Sequence, residues 1–401
     1  MDESFFVNVN QDHLRTLNQY ESSFRRNALD HIDWADRLIF ITGARGVGKT
    51  TLILQHITET FGPDPKALYV SMDAISVIGL SILDIARYHS DRGGTHLYID
   101  EIHKYDRWSL ELKNIYDQYR NLHVVASGSS ILEIQRGQAD LSRRSVEYLI
   151  EGLSFREYIN IESELDIPQV SLTDIIDRHQ QVASDLLSQV KPMMYYQDYL
   201  QHGYYPYYLE SKNSYHRKLN NTLNLTIEID LPQMLGVEIT NITKIKKLIY
   251  MLTTQVPFTI NVTKMSQALE LNRNTLTNYL HFLEKASLFN LLWKRGKSYT
   301  LLTKPDKIYL HNTNLYHLTP TNANIGTIRE CFFASQLGSQ HDLRLPLQGD
   351  FIIDDQYTIE IGGQGKKGNQ LRGVDSGYIV HDDITIGSGN HIPLWLFGLV
   401  R

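Results

Sequence analysis

The chain is poor in cysteine. Cys331 is alone among 401 residues, so an internal disulfide and a cysteine-built zinc site are both excluded. That usage is compatible with a reducing compartment. Long apolar runs are also missing, and nothing approaches membrane-spanning length. The opening MDESFFVNVNQDHL lacks the basic and apolar blocks of a secretory signal. The expectation is a cytoplasmic protein with no membrane partner. No sign of charge dominates: a net charge of -6 excludes a bulk nucleic-acid coat or a membrane-surface role. There is no internal repeat and no low-complexity stretch. The rest of the composition, 42% hydrophobic and 21% charged, is that of an ordinary globular protein. Its length exceeds what one core usually organises, which predicts two to four domains.

Tyrosine is in surplus. Twenty-four are present, many within KPMMYYQDYLQHGYYPYYLE (Lys191 to Glu210), which reads as a packed helical region. The N-terminal third alternates. Residues 11–36 carry Leu14, Leu17, Tyr20 and Phe24 at helical spacing. LIFIT (Leu38 to Thr42) is a continuous apolar run, as in a buried parallel strand. Strands ALYVSMD, HLYID and LHVVASG follow, separated by helical stretches near Lys49–Phe61, Ser81–Tyr88 and Leu110–Tyr119. That alternation predicts an α/β parallel sheet with crossover helices.

GARGVGKT (Gly43 to Thr50) fits G-x-x-x-x-G-K-[ST] without a mismatch. The glycines let backbone N–H groups turn inward on a phosphate, and the following helix adds its positive dipole end. Gly43, Ala44, Arg45, Gly46, Val47, Gly48, Lys49, Thr50 and Thr51 are therefore the candidate ATP-binding residues. Lys49 would reach the terminal phosphates and Thr50 would ligate Mg²⁺. Fifty residues on, HLYIDE ends in Asp100 and Glu101. Asp100 is the candidate second Mg²⁺ ligand, and Glu101 the base that orients the attacking water. The plain alternative is two solvated acids capping the next helix. Ser127 is the candidate polar contact at the next strand tip, with Ser129 as its alternative; a serine-rich turn explains them almost as well. DLSRRSVEY offers Arg143 and Arg144, of which Arg144 is the candidate to stabilise the transferring phosphoryl group, in cis or to a neighbouring subunit.

With these pieces in place, the chain resembles prokaryotic AAA-type P-loop ATPases that carry a C-terminal domain of unknown function. The resemblance runs through ITGARGVGKTTL, YIDEIHKYDRW, ASGSS, LSRRSVEYLIEGLSFREY, HGYYPYYLE, KIYLHNTNL, IGTIRECFFASQL, GDFII…YTIEIGG and IPLWLFGLV, nearly the whole length. It implies a P-loop NTPase parallel-sheet domain, a helical segment, a winged helix and a C-terminal restriction-endonuclease-like α/β domain. Two positions depart from the family pattern. Arg143 replaces the glycine before the finger arginine, and Asn312-Thr313-Asn314 replaces Asp-Thr-Gly.

From Ile239 to Lys307 eleven lysines and arginines face three acids, a balance of +8 in a chain of -6. NVTKMSQALELNRNTLTNYLHFLEKASLF reads helix, turn, helix, and LLWKRGKSYTLL reads as a hairpin wing. In a DNA-reading version Arg273, Asn274, Thr277, Asn278 and His281 face the groove, while Lys294, Arg295 and Lys297 hold phosphate. A winged helix used only for protein packing is the competing reading.

The last segment resembles the PD-(D/E)XK nuclease fold. Asp350 and Glu360 are its candidate carboxylates, and Glu330 a third. The lysine expected two residues past Glu360 is Gly362; Lys366 and Lys367 lie in the adjacent glycine-rich loop. That substitution points to a degenerate nuclease site whose shape is kept and whose chemistry is lost.

The expected domains are 1–155 (ATPase with an N-terminal helix), 156–238 (helical lid), 239–305 (winged helix-turn-helix) and 306–401 (nuclease-like). The expected function is ATP hydrolysis, with Mg²⁺, driving a switch in the C-terminal modules. The alternatives are a nucleotide-gated binder of double-stranded DNA and an ATP-dependent nuclease in defence against foreign DNA. A homo-oligomer or a protein partner is also expected.

Overall fold

The computed structural model describes residues 3–20, 24–128, 141, 143–232, 239–254, 262–296, 304–318, 324–363, 365–366 and 368–401. Its contacts separate into two compact units, Met1–Gly152 and Leu153–Arg401.

The first unit is built on five strands: β1 (Leu38–Thr42), β2 (Ala67–Ser71), β3 (His96–Asp100), β4 (His123–Ser127) and β5 (Val146–Leu149). All pairings are parallel, in the order β2-β3-β4-β1-β5. Strands β1 to β4 are buried along almost their whole length and mostly apolar, as in a parallel sheet covered on both faces. The helices are α1 (Glu3–Gln19), α2 (Ala28–His31), α3 (Lys49–Thr60), α4 (Ile82–Asp91) and α5 (Trp108–Gln118). The single helix expected over 11–36 is instead α1 and α2. Between them the buried Arg26 donates to the carbonyls of Val47 (2.6 Å) and Glu151 (2.8 Å).

The second unit begins with α6 (Phe155–Ser163). LSFREY owes its residues to structure. Ser154 and Glu157 close a reciprocal capping box, and buried Arg156 donates to the carbonyls of Ile167 and Arg401. Helices α7 (Leu172–Leu187), α8 (Met193–His202) and α9 (Tyr215–Leu225) follow. Tyr196, Tyr199, Tyr204 and Tyr208 are each almost wholly buried, as the packed reading of this stretch requires. Asn314, one of the departures from the family pattern, is central to this cluster. Its Oδ1 accepts from the Tyr204 N–H (2.8 Å) and the Tyr215 hydroxyl, and its Nδ2 donates to the carbonyls of Tyr199 and Leu200. An amide supplies both donor and acceptor there, which the glycine of the family pattern could not.

Helices α10 (Ile239–Thr254), α11 (Val262–Ala268) and α12 (Arg273–Lys285) lead into an antiparallel pair, β6 (Phe289–Leu292) with β7 (Lys307–Leu310). Helix α13 (Ile325–Leu337) precedes a mixed sheet of β8 (Leu343–Arg344), β9 (Phe351–Ile353), β10 (Tyr357–Gly362), β11 (Gly377–His381) and β12 (His391–Pro393). Its order is β12-β11-β10-β9-β8; β8, β9 and β10 are antiparallel, and β11 and β12 run parallel to β10. The closing Leu394–Leu399 is a buried 3₁₀ turn. Among the described residues no helix is long and apolar enough to cross a membrane.

Candidate functional site

The loop Gly43–Gly48 joins the C-terminal tip of β1 to the first turn of α3. Two of its glycines are structurally required. Gly43 has φ +147°, and a Cβ there would stand 2.2 Å from the Ile150 carbonyl oxygen. Gly48 takes a left-handed conformation to start α3. Lys49 is 5% exposed and folds back, its Nζ donating to the carbonyls of Gly43 and Ala44, both at 2.9 Å. A phosphate seated in the loop offers that ammonium stronger, charged acceptors.

Strand β4 lies between the loop strand β1 and β3, so the tips of β3 and β4 face the space before α3. Asp100, at the tip of β3, is 2% exposed. Three hydroxyls donate to it: Thr50 at 2.6 Å, Tyr69 at 3.0 Å, and Ser127 from the tip of β4. Thr50, Asp100 and Ser127 are thus together, as the sequence predicts. Burial, and then the Asp100 charge, holds the Tyr69 phenol well above its usual range, so it remains a donor. Thr50 and Asp100 present hard oxygen donors side by side, a set that fits Mg²⁺.

Glu101 sits in a left-handed conformation (φ 51°) immediately beyond β3. Such a backbone is strained for a glutamate and is typical of functional positions. Its Oε2 is 3.4 Å from Nε2 of His103. Burial raises the Glu101 carboxyl, Lys49 and Arg45 oppose the rise, and Asp100 and Asp73 add to it.

The arginines lie elsewhere. Val146 pairs with Ile39 and Leu149 with Thr42, so β5 ends level with the loop and begins at the opposite edge. Arg143 and Arg144 precede β5, about 13 Å of strand away from the loop. Arg144 is held there by Asp117 (3.0 Å) near the Tyr116 ring, and Arg143 is exposed. The fold therefore does not bring Arg144 to the phosphate loop of its own chain. Ser129 lies outside the described residues.

Sequence reasoning missed three residues here. Arg26 braces the loop from behind, Tyr69 orients Asp100, and His103 contacts Glu101. Arg26 and Tyr69 come from segments without a motif, and His103 lies in the YIDEIHKYDRW stretch, where spacing alone gives it no role.

In the second unit Arg273, Asn274 and Asn278 are exposed on α12. Thr277 and His281 are not, contrary to expectation. Both fall on the α12 face that carries Leu276 and Leu280; Thr277 donates to the Arg273 carbonyl, and His281 stacks on Trp293 at 5.9 Å. Lys294 and Arg295 are exposed, and Arg295 pairs with Asp355 at 3.0 Å. Lys297 and Lys367 lie outside the described residues.

Around β10, Glu330 is taken up by Lys307 (2.7 Å) and the Tyr309 hydroxyl. Asp350 accepts from the Ile361 N–H at 2.7 Å. Burial raises the Asp350 carboxyl, with Glu330 adding, and the Ile361 N–H, Lys366 and Lys307 opposing. Lys366 Nζ stands 3.4 Å from Glu360 and 3.9 Å from Asp350.

Comparison with known proteins agrees with the first unit. Residues 35–159 match a family model described as an AAA domain, and residues 193–324 one described as a domain of unknown function (DUF8612). An uncharacterized protein of Methanocaldococcus jannaschii is 30% identical over 285 residues, 68% of this chain and 60% of that protein. The chain thus spans about 60% of the length of that relative. Among solved structures, a Walker-type ATPase of Pyrococcus abyssi aligns with TM-score 0.42 and 11% identity, over 74% of this chain and 95% of that one. AMPPCP-bound DnaA from Aquifex aeolicus aligns with TM-score 0.25 and 14% identity, over 69% and 88%. Scores this low carry no inference about activity. The phosphate loop, the parallel sheet and the matched segment make the N-terminal unit an AAA-type P-loop domain.

Proposed function

We propose that this protein binds ATP with Mg²⁺ and hydrolyses it, acting as a nucleotide-driven switch on its C-terminal unit. One observation carries the reading: Thr50 and Asp100 meet at 2.6 Å in the first turn of the helix that Lys49 begins, at the end of a loop whose Gly43 is sterically required. The bound metal would be held by Thr50 and Asp100 and would supply charge neutralisation on the phosphates. Lys49 leaves its two carbonyls for phosphate oxygens. Ser127 and Tyr69 keep the Asp100 carboxylate fixed. Glu101, its carboxyl raised by burial, is the candidate to accept a proton from an attacking water.

Turnover of ATP by the purified chain tests this. Glu101→Gln should still bind ATP while turnover falls by about 10²–10⁴-fold, and Lys49→Ala should lose ATP binding. Calorimetry showing no heat with ATP and magnesium would end the proposal.

A second reading, a nucleotide-gated DNA binder, is favoured by the exposure of Arg273, Asn274, Asn278, Lys294 and Arg295 within the segment that carries the +8 balance. Helices α10 to α12 followed by β6 and β7 are compatible with a winged helix presenting the start of α12 to a groove.

A further inference from the structure

One face of α9 borders an open space inside the second unit. Asn220, Leu223 and Asn224 lie on it, at the three- and four-residue spacing that puts side chains on one side of a helix, and Ile227 of the following turn continues the row. Lys246, Ile249 and Tyr250 of α10 repeat the spacing and face the same space. Between them lies a cavity of about 180 Å³ whose floor includes Leu288, Phe289, Leu310 and Leu315, all buried. It opens to solvent beside Tyr250, which is 57% exposed, and the exposed Asn220. The cavity belongs to neither the phosphate loop nor the carboxylates around β10.

Size and lining set the chemistry of an occupant. An apolar cavity of about 150 Å³ takes a benzene ring, so this one has room for a single ring or a small bicycle. An apolar wall with a few polar groups at its mouth is the usual build of a small-molecule site. The polar groups here are the Asn220 and Asn224 carboxamides and the Lys246 ammonium. Of the three lysines of α10, Lys244 donates to the Glu270 carbonyl and Lys247 to the Ala268 carbonyl, both at 2.9 Å. Lys246 instead pairs with Glu228, and both of those side chains are largely exposed, at 41% and 50%. An exposed ion pair contributes little, so a ligand anion can take the ammonium while Glu228 returns to water. The balance of +8 from Ile239 to Lys307 also favours an anion.

We propose that this cavity is a binding site for a small aromatic anion, with the ring among Leu223, Ile249 and Phe289 and the anionic group on Lys246. The Asn220 and Asn224 carboxamides hydrogen-bond to polar edges of the ring. Binding is noncovalent, and an occupant braces α9 against α10. The site is independent of the ATP reading.

The test titrates the full chain with indole-3-acetate and phenyl phosphate, and with indole as a ring without charge, followed by saturation-transfer difference NMR. Ring protons of at least one anion should receive saturation, and the two arms identify whether carboxylate or phosphate is preferred. Lys246→Ala should weaken that anion by about tenfold, the loss of one charge-assisted hydrogen bond, and leave indole within about twofold. Lys247→Ala removes the same charge from the same helix outside the cavity and should leave the anion within about twofold. The pair of variants separates this site from general attraction to a basic surface and from anion binding at the phosphate loop. Leu223→Trp fills the cavity and, in a variant whose circular dichroism matches the parent, should abolish binding of anion and indole alike. Lys246 is exposed enough that its removal tests the site even where Leu223→Trp fails to fold. Absence of transfer from both anions, equal effects of Lys246→Ala and Lys247→Ala, or binding that survives a folded Leu223→Trp would each overturn the proposal.

Discussion

Acid should destabilise the first unit, and His13 shows by how much. This residue of α1 is 5% exposed, and its Nδ1 accepts the Tyr69 N–H at 3.0 Å. A ring nitrogen that accepts cannot also carry a proton, so the bond requires a neutral imidazole. Burial, reinforced by His89 on α4, pushes His13 down from 6.5 to about 4. A depressed histidine contributes stability that is complete above its unfolded value of 6.5 and is lost as pH falls toward 4. At about pH 5 the unfolded ring is protonated and the folded ring is not, an imbalance of about 2 kcal/mol as an upper figure. His56 and His96 are pushed down to about 4 in the same direction, each chiefly by burial. For a unit of this size, 2 kcal/mol corresponds to roughly 4–8 °C in Tm. Thermal unfolding followed by circular dichroism at about pH 7.5 and pH 5 should show at least that drop. His13→Asn puts an amide oxygen near the Nδ1 position and cannot take up a proton. It should reduce the acid slope while costing less at neutral pH. An acid slope identical in His13→Asn and the parent would refute the reasoning.

Other consequences are as direct. Gly43→Ala forces a Cβ against the Ile150 carbonyl; at about 1–3 kcal/mol of strain, titration calorimetry should find ATP affinity reduced about tenfold or more. Arg143 and Arg144 lie too far from the loop of their own chain to assist it, so if either stabilises the phosphoryl group it does so on a second copy. Mixing inactive Glu101→Gln with inactive Arg143→Ala/Arg144→Ala should then restore partial turnover, and a mixture as inactive as its components would exclude an intermolecular arginine. If the segment holds DNA, Lys294→Ala/Arg295→Ala should reduce the slope of log affinity against log salt by about 2 in fluorescence anisotropy; an unchanged slope would remove these residues from the contact.

The phosphate site was legible because its parts are contiguous or end a strand. Gly43 to Thr51 is one stretch, and Asp100 and Ser127 are the last residues of apolar runs, so the parallel order aligns them without further information. Tyr69 was hidden because it reads as one more apolar residue of β2; only the neighbouring strand shows that its hydroxyl finds Asp100. Arg26 was hidden because the carbonyls it reaches, Val47 and Glu151, are far from it in sequence, and His103 because its approach to Glu101 depends on the left-handed backbone there. Helical periodicity misplaced Thr277 and His281, because counting every polar residue of α12 as outward ignores that its apolar stripe is wide enough to carry them inward.

The C-terminal unit shows a different limit. Strand alternation correctly says that residue 362 shares a face with Glu360, and from there the absence of lysine reads as lost chemistry. The rule concerns where a Cβ points, whereas catalysis depends on where an ammonium ends. A lysine stem has four methylenes, and the turn closed by the Lys366 N–H on the Gly363 carbonyl, just beyond β10, lets Lys366 reach the same space from outside the strand. Glycine is the one residue at 362 that permits this, since any Cβ would displace the incoming stem. Lysine at 366 and glycine at 362 are thus two halves of one arrangement. Gly362→Lys alone drives a Cβ against the Lys366 side chain, and Lys366→Ala alone removes the ammonium that stands 3.4 Å from Glu360 and 3.9 Å from Asp350.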